Sequence, residues 1–161
     1  MWFFMTSIYV MTFVTSIALV IAFMQSFLNF YVLAANHVTF VIFTCLLYFF
    51  TETLVIFFFV GTGVSIKEYV HANHLDSGYH QKSITIKRKL YPPLMLNLLI
   101  MSVAFVLVGA VDTYRIPKWI YQIIFLSGII HYGWVKIIQN DCFRENTGLI
   151  LDMTGIQRKF A

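Results

Sequence analysis

Charged residues are scarce in this chain. They make up 11% of its 161 residues, whereas an ordinary soluble domain carries about 25%. The hydrophobic share is 60% and the mean hydropathy is +0.80, and a chain this short cannot hide so much apolar surface in a core of its own. The composition therefore excludes a water-soluble domain and predicts that lipid covers much of the surface.

Signals for a disulfide framework, a nucleic-acid surface and a cleavable leader are also missing. The two cysteines, Cys45 and Cys142, lie far apart in the sequence, so neither a disulfide framework nor a metal-binding cysteine pair is predicted. The net charge of +4 is not gathered in a patch with interleaved aromatic residues, so no nucleic-acid partner is expected. No basic residue precedes the first apolar stretch, which we expect to be retained as a span.

Long apolar windows are what the chain does contain. A helix needs about 20 apolar residues to cross a hydrocarbon layer about 30 Å thick. We therefore predict an all-α integral membrane protein, a single domain over 1–161 built as a bundle of about four transmembrane helices. The predicted spans are 2–24, 38–60, 92–111 and 119–138. The third begins at Pro92-Pro93, because proline favours the first turn of a helix.

The polar regions predict how the chain is oriented. A juxtamembrane loop is expected at 61–91 and a short tail at 139–161. Nine of the eleven basic residues lie in this loop or towards the C-terminus, and only Arg115 and Lys118 lie on the opposite side. Because basic residues favour the cytoplasmic side, we expect both termini there. The membrane would be a bacterial or archaeal cytoplasmic membrane or an organelle inner membrane.

Three consecutive basic residues directly precede the third predicted span. Lys87, Arg88 and Lys89 would lie at the membrane surface, where each basic residue gains about 1 kcal/mol from anionic lipid. We interpret the cluster as a lipid-surface anchor and expect bound lipid.

An acidic residue stands inside the second predicted span. Glu52 is flanked by apolar and aromatic residues, and a carboxylate in hydrocarbon costs roughly 3 kcal/mol or more unless it is protonated, paired or hydrated. His131 lies at a similar depth in the fourth span. We predict an intramembrane polar layer with Glu52 and His131 as its ionisable pair. Its members are Glu52, His131, Asn97, Ser102 and Thr12. Such a layer either fastens helices together or carries chemistry, and the sequence leaves both open.

Histidines also cluster in the middle loop. His71 and His74 would share one face of a helix that extends the second span, and Asp76 and His80 follow closely. Three imidazoles and a carboxylate could hold zinc, copper or iron. A solvated loop without metal is the alternative interpretation.

Three functions are compatible with these features. The first is a non-catalytic, accessory or structural subunit of a larger membrane complex, whose partners are other membrane protein subunits and lipids. The second is a redox anchor that binds quinone or haem near Glu52 and His131, although haem would need a ligand besides this one intramembrane histidine. The third is a small oligomeric proton or ion pathway. No catalytic residue set is visible, so we do not expect the chain to be an enzyme on its own.

Overall fold

The computed structural model describes residues 2–28, 30–32 and 34–155, without the side chain of Trp2. Four long α-helices account for almost all of these residues. They are α1 (Trp2–Leu28), α2 (His37–Ala72), α3 (Gly78–Asp112) and α4 (Lys118–Met153). Each is long and apolar enough to cross a membrane. The predicted all-helical class with four helices of spanning length is therefore confirmed.

All four helices are longer than the predicted spans, α1 by four residues at its end and the other three by more than ten residues each. The expected loop at 61–91 is mostly helical, because α2 ends at Ala72 and α3 begins at Gly78. Helix α4 likewise continues to Met153 through most of the expected polar tail, and residues 156–161 lie outside the described part. Hydropathy marks only the apolar portion of a helix, whereas lysine, glutamate and glutamine are good helix formers. A helix therefore continues after its hydropathy signal ends.

The prediction that Pro92-Pro93 starts the third helix is wrong. Both prolines lie inside α3, where each removes a backbone donor. Leu90 and Leu94, on either side of them, are fully or almost fully buried in one core cluster. Packing of an apolar face supplies most of the stability of a helix in a protein, and here it carries α3 through the two prolines.

The helices pack as a ring in which each contacts the next along the chain and α4 contacts α1. Helices α2 and α4 therefore stand at opposite corners of the bundle, as do α1 and α3. Phe4 near the start of α1 and Ile150 near the end of α4 line a common cavity. The described ends of the chain thus lie at the same end of the bundle.

The most extensive contact joins α3 and α4, and a glycine permits it. A Cβ added at Gly128 of α4 would lie 2.6 Å from Met101 Sδ and 3.3 Å from Ile100 Cγ2, both on α3. Met101 is fully buried, so its thioether has little room to move. Gly133, in the same helix, has no atom within 4 Å of an added Cβ.

Replacing Gly128 by alanine should destabilise the bundle, whereas the same change at Gly133 should not. Overpacking of a filled contact costs about 1–3 kcal/mol, which outweighs the gain of about 1 kcal/mol that alanine brings to a helix. Thermal unfolding in detergent, followed by circular dichroism, measures both variants. A G128A protein as stable as G133A would show that the α3–α4 contact is looser than described.

Candidate functional site

A buried ion pair joins Glu52 of α2 to Lys136 of α4. The Lys136 Nζ lies 2.5 Å from Glu52 Oε1, and the two side chains are 14% and 2% exposed, respectively. Because α2 and α4 stand at opposite corners, the pair crosses the centre of the bundle. A lone buried charge is strongly unfavourable, so each side chain depends on the other for its place.

Further groups surround the Lys136 ammonium. It donates a second hydrogen bond to Gln139 Oε1 at 2.7 Å, and it lies 4.7 Å from the centre of the Tyr132 ring. Tyr132 and Gln139 precede and follow Lys136 by one helical turn, which places all three on one face of α4. A carboxylate, an amide oxygen and an aromatic ring face thus replace the water that would surround the cation.

A second polar group lies one helical turn from the pair. The Tyr48 hydroxyl, on α2, donates to Asn97 Oδ1 of α3 at 2.7 Å. Asn97 Nδ2 donates in turn to the carbonyl of Gly128 in α4 at 3.0 Å. The rings of Tyr48 and Tyr132 have centroids 5.8 Å apart. One asparagine therefore links three helices next to the ion pair.

Helix α1 joins the interior through hydroxyl groups. Thr15 Oγ1 and Thr51 Oγ1 lie 2.8 Å apart in the buried α1–α2 contact. At the surface of the bundle, nearer the end at which α1 begins, the Tyr9 hydroxyl donates to Asn140 Oδ1 of α4 at 2.7 Å. Thr51 adjoins Glu52 in the sequence, so the hydroxyl contact lies beside the charged one.

Some polar atoms near the pair are buried without a protein partner. Among the described residues, Glu52 Oε2 of the pair and Thr12 Oγ1 of α1 have no hydrogen-bond partner. Buried polar atoms are normally satisfied by protein or by ordered water. Glu52 Oε2 can accept a proton or a hydrogen bond, so the site could hold a water molecule or a transferable proton.

The predicted polar layer is only partly brought together. Glu52 and Asn97 are buried and bonded across helices, but Ser102 donates to Leu98 O of its own helix at 2.6 Å. The predicted Glu52–His131 pair is not formed, since Glu52 binds Lys136. The His131 ring packs on Trp134 at 5.4 Å between centroids. His131 and Lys136 are five residues apart, which corresponds to about 140° around the helix.

Lys136 is the residue that sequence reasoning missed. The count of basic residues places it on the cytoplasmic side, although it falls inside the predicted span 119–138. A lysine inside one apolar window and an acid inside another form a signal for an intramembrane pair. The long lysine side chain makes this signal easy to overlook, because it also allows the ammonium to reach a membrane surface.

The structure does not gather the predicted metal ligands into one group. Among the described residues, no three His, Cys, Asp or Glu side chains come together in a group that could hold a metal ion. Asp76 instead accepts a hydrogen bond from the Gly78 backbone N–H at 3.1 Å, at the start of α3. His71, His74 and His80 line a wide, open groove at the α2–α3 turn.

The three residues of the predicted lipid anchor differ in their surroundings. Lys87 extends over Gly63 of α2 and fills the place of a Cβ there. Lys89 pairs with Glu145 of α4 at 2.7 Å, with both side chains nearly half exposed. Arg88 is exposed. Lipid binding by this cluster stays a prediction, and the structure adds that Lys87 and Lys89 also contact neighbouring helices.

No family model, curated protein or solved structure matches this chain. What the chain does must therefore follow from the chemistry of its own residues. The buried pair of Glu52 and Lys136, with the bonded side chains around it, is its most distinctive chemical feature.

Removing one charge of the pair should destabilise the protein far more than removing both. E52L or K136M alone leaves the other group buried without its partner, which costs about 3–5 kcal/mol, whereas apolar replacement of a whole buried pair is often neutral. Unfolding of E52L, K136M and the double variant E52L/K136M in detergent forms the comparison. Additive losses in the double variant would contradict a direct interaction.

The exposed pair offers a matched control. E145Q removes the carboxylate that Lys89 binds, and surface pairs contribute little to stability. Its unfolding temperature should stay close to that of the unchanged protein under the same conditions.

Proposed function

We propose that this chain is a non-catalytic subunit that crosses a membrane four times and packs against other subunits of a larger membrane complex. The observation that carries the proposal is that the interior polar side chains of this chain bond to one another across helices. Glu52 is paired with Lys136, and Asn97 is bonded to Tyr48 and Gly128. These bonds join one helix to another, which is how polar side chains stabilise helix bundles in lipid.

The outer surface supports a membrane environment. Large apolar side chains are exposed on all four helices, among them Phe13, Phe57, Val106 and Ile130, each at least 64% exposed. Exposed apolar side chains in such number are covered by lipid or by another protein. The exposed phenylalanine rings on α1 and α2 offer adjoining subunits a surface for packing.

Basic residues support both termini on the cytoplasmic side. Without Lys136, which pairs with Glu52 inside the bundle, eight basic residues remain at the end of the bundle that holds the α2–α3 turn or in the C-terminal residues, against Arg115 and Lys118 at the other end. The positive-inside preference favours the richer end on the cytoplasmic side.

Single cysteines test this orientation. In a background with Cys45 and Cys142 replaced by alanine, R115C should react with a membrane-impermeant maleimide in intact cells. Q81C, in the first turn of α3, should react only after the membrane is opened. Both positions are exposed, so a difference reports the side of the membrane. The reverse pattern would overturn the proposed orientation.

The mass of the extracted complex tests whether this chain assembles with other subunits. The tagged chain, produced at its native level, is extracted from its own membrane with a mild detergent and measured by native mass spectrometry. The proposal expects a complex that contains other polypeptides in fixed stoichiometry with this 18.7 kDa chain. A monomer, or a complex of identical copies, would refute it.

A proton or ion pathway is the second candidate, and the buried Glu52 Oε2 without a protein partner favours it. A quinone or haem site formed by Glu52 and His131 has less support, because these two side chains do not pair. The variant E52L/K136M separates the first two functions, since it removes every titratable group of the pair. If the pair only joins α2 to α4, the double variant should still assemble into a working complex, because apolar replacement of a whole buried pair is often neutral. If the pair carries protons, the double variant should assemble but lose proton flux in liposomes.

A further inference from the structure

A second site lies at the end of the bundle where α2 and α4 begin and α3 ends. A half-open cavity of about 360 Å³ is present there. Its polar wall contains His37 of α2, Asp112 of α3, and Lys118 and Tyr121 of α4. Val108 and Val111 of α3 form an apolar wall.

Two aromatic side chains in this cavity have polar atoms without protein partners. Tyr121 is 1% exposed, and its hydroxyl makes no hydrogen bond to the described residues. Both ring nitrogens of His37 are buried and equally without a partner there. The two rings pack edge to face with centroids 5.7 Å apart. Buried polar groups of this kind need a bound partner, so the cavity floor is built to hold a polar group.

The charges around the cavity are of both signs. Lys118 lies at the N-terminus of α4, close to the N-terminus of α2, and both helix ends carry partial positive charge that attracts anions. Asp112 is the last residue of α3, where the helix end carries partial negative charge. The fields of Lys118 and Asp112 both act on the His37 ring. A molecule that carries one positive and one negative group would match this wall.

Exposed aromatic residues surround the same end of the bundle. Tyr31, Tyr114 and Trp119 are 74%, 96% and 61% exposed. Tyrosine and tryptophan collect at the level of lipid head groups. In a membrane, the cavity would therefore lie at head-group depth.

We propose that this cavity binds a phosphoethanolamine group. The ammonium lies against Asp112, which accepts its hydrogen bonds, and the phosphate lies against Lys118 and the amino ends of α2 and α4. The His37 N–H and the Tyr121 hydroxyl donate to phosphate oxygens, which accept strong charge-assisted bonds. The group belongs to a phosphatidylethanolamine head or to a water-soluble phosphoethanolamine ester. The proposal is independent of the assembly of the chain with other subunits.

Native mass spectrometry of the full chain tests the proposal. The protein is placed in nanodiscs with equal amounts of phosphatidylethanolamine and phosphatidylglycerol, and the lipids retained after release are counted. We expect preferential retention of one phosphatidylethanolamine, and displacement of it by soluble glycerophosphoethanolamine. Binding of glycerophosphoethanolamine without retention of the lipid would assign the site to a soluble ester. Equal retention of both lipids, with no binding of glycerophosphoethanolamine, would overturn the proposal.

Variants locate the binding in the cavity. D112N should weaken binding about tenfold or more, because it removes a charged partner of the ammonium, and Y121F about two- to tenfold, because it removes one donor. The controls are D141N and Y69F, since both residues are exposed and lie outside this cavity. Unchanged binding in both D112N and Y121F would refute the site. Competition by glycerophosphoethanolamine needs no variant, so the test stands even if a variant fails to fold.

Discussion

The attraction between the Glu52 carboxylate and the Lys136 ammonium constrains the whole bundle. The two side chains meet across its centre from opposite corners, so their contact restricts the rotation of both α2 and α4. Turning either helix by a single residue, about 100°, would carry a charge from its partner to an apolar neighbour. A buried charge without its partner is costly, so this one contact selects one rotation of each helix.

The remaining interior is arranged around that contact. Helix α3 contributes no charge to the pair, but Asn97 ties it to α2 and α4 one turn away. The lack of a side chain at Gly128 lets α3 and α4 approach closely, and the carbonyl of the same residue accepts the asparagine hydrogen bond. Helix α1 is joined by the Thr15–Thr51 contact. Polar bonds thus give specificity, while the aromatic and aliphatic clusters fill the space between them.

The two ends of the bundle differ in chemistry. At the end with the α2–α3 turn, the helices extend beyond their apolar windows and carry most of the basic residues. The other end carries only two basic residues, Arg115 and Lys118, and holds a cavity with charges of both signs. The two ends of the bundle therefore differ in charge and in the kind of surface that each presents.

The sequence by itself determined the class of the protein and the number of its helices. Apolar length is a local property, and backbone groups in an apolar medium must be satisfied within a helix, so four windows predict four helices. Glu52 and Asn97 could be selected as interior polar residues for the same reason. The helix ends could not, because polar helix formers continue a helix without a hydropathy signal, as they do after residue 60.

The tertiary structure alone decided which side chains meet. Whether Glu52 binds His131 or Lys136 depends on the rotation and depth of α4 relative to α2. An error of a few residues in the predicted rotation or depth is enough to select His131 in place of Lys136. The cavity at His37 and Tyr121 joins residues from three helices, which no local pattern brings together. Local sequence therefore defined the elements, and the packing of buried charges and close-contact glycines defined their arrangement.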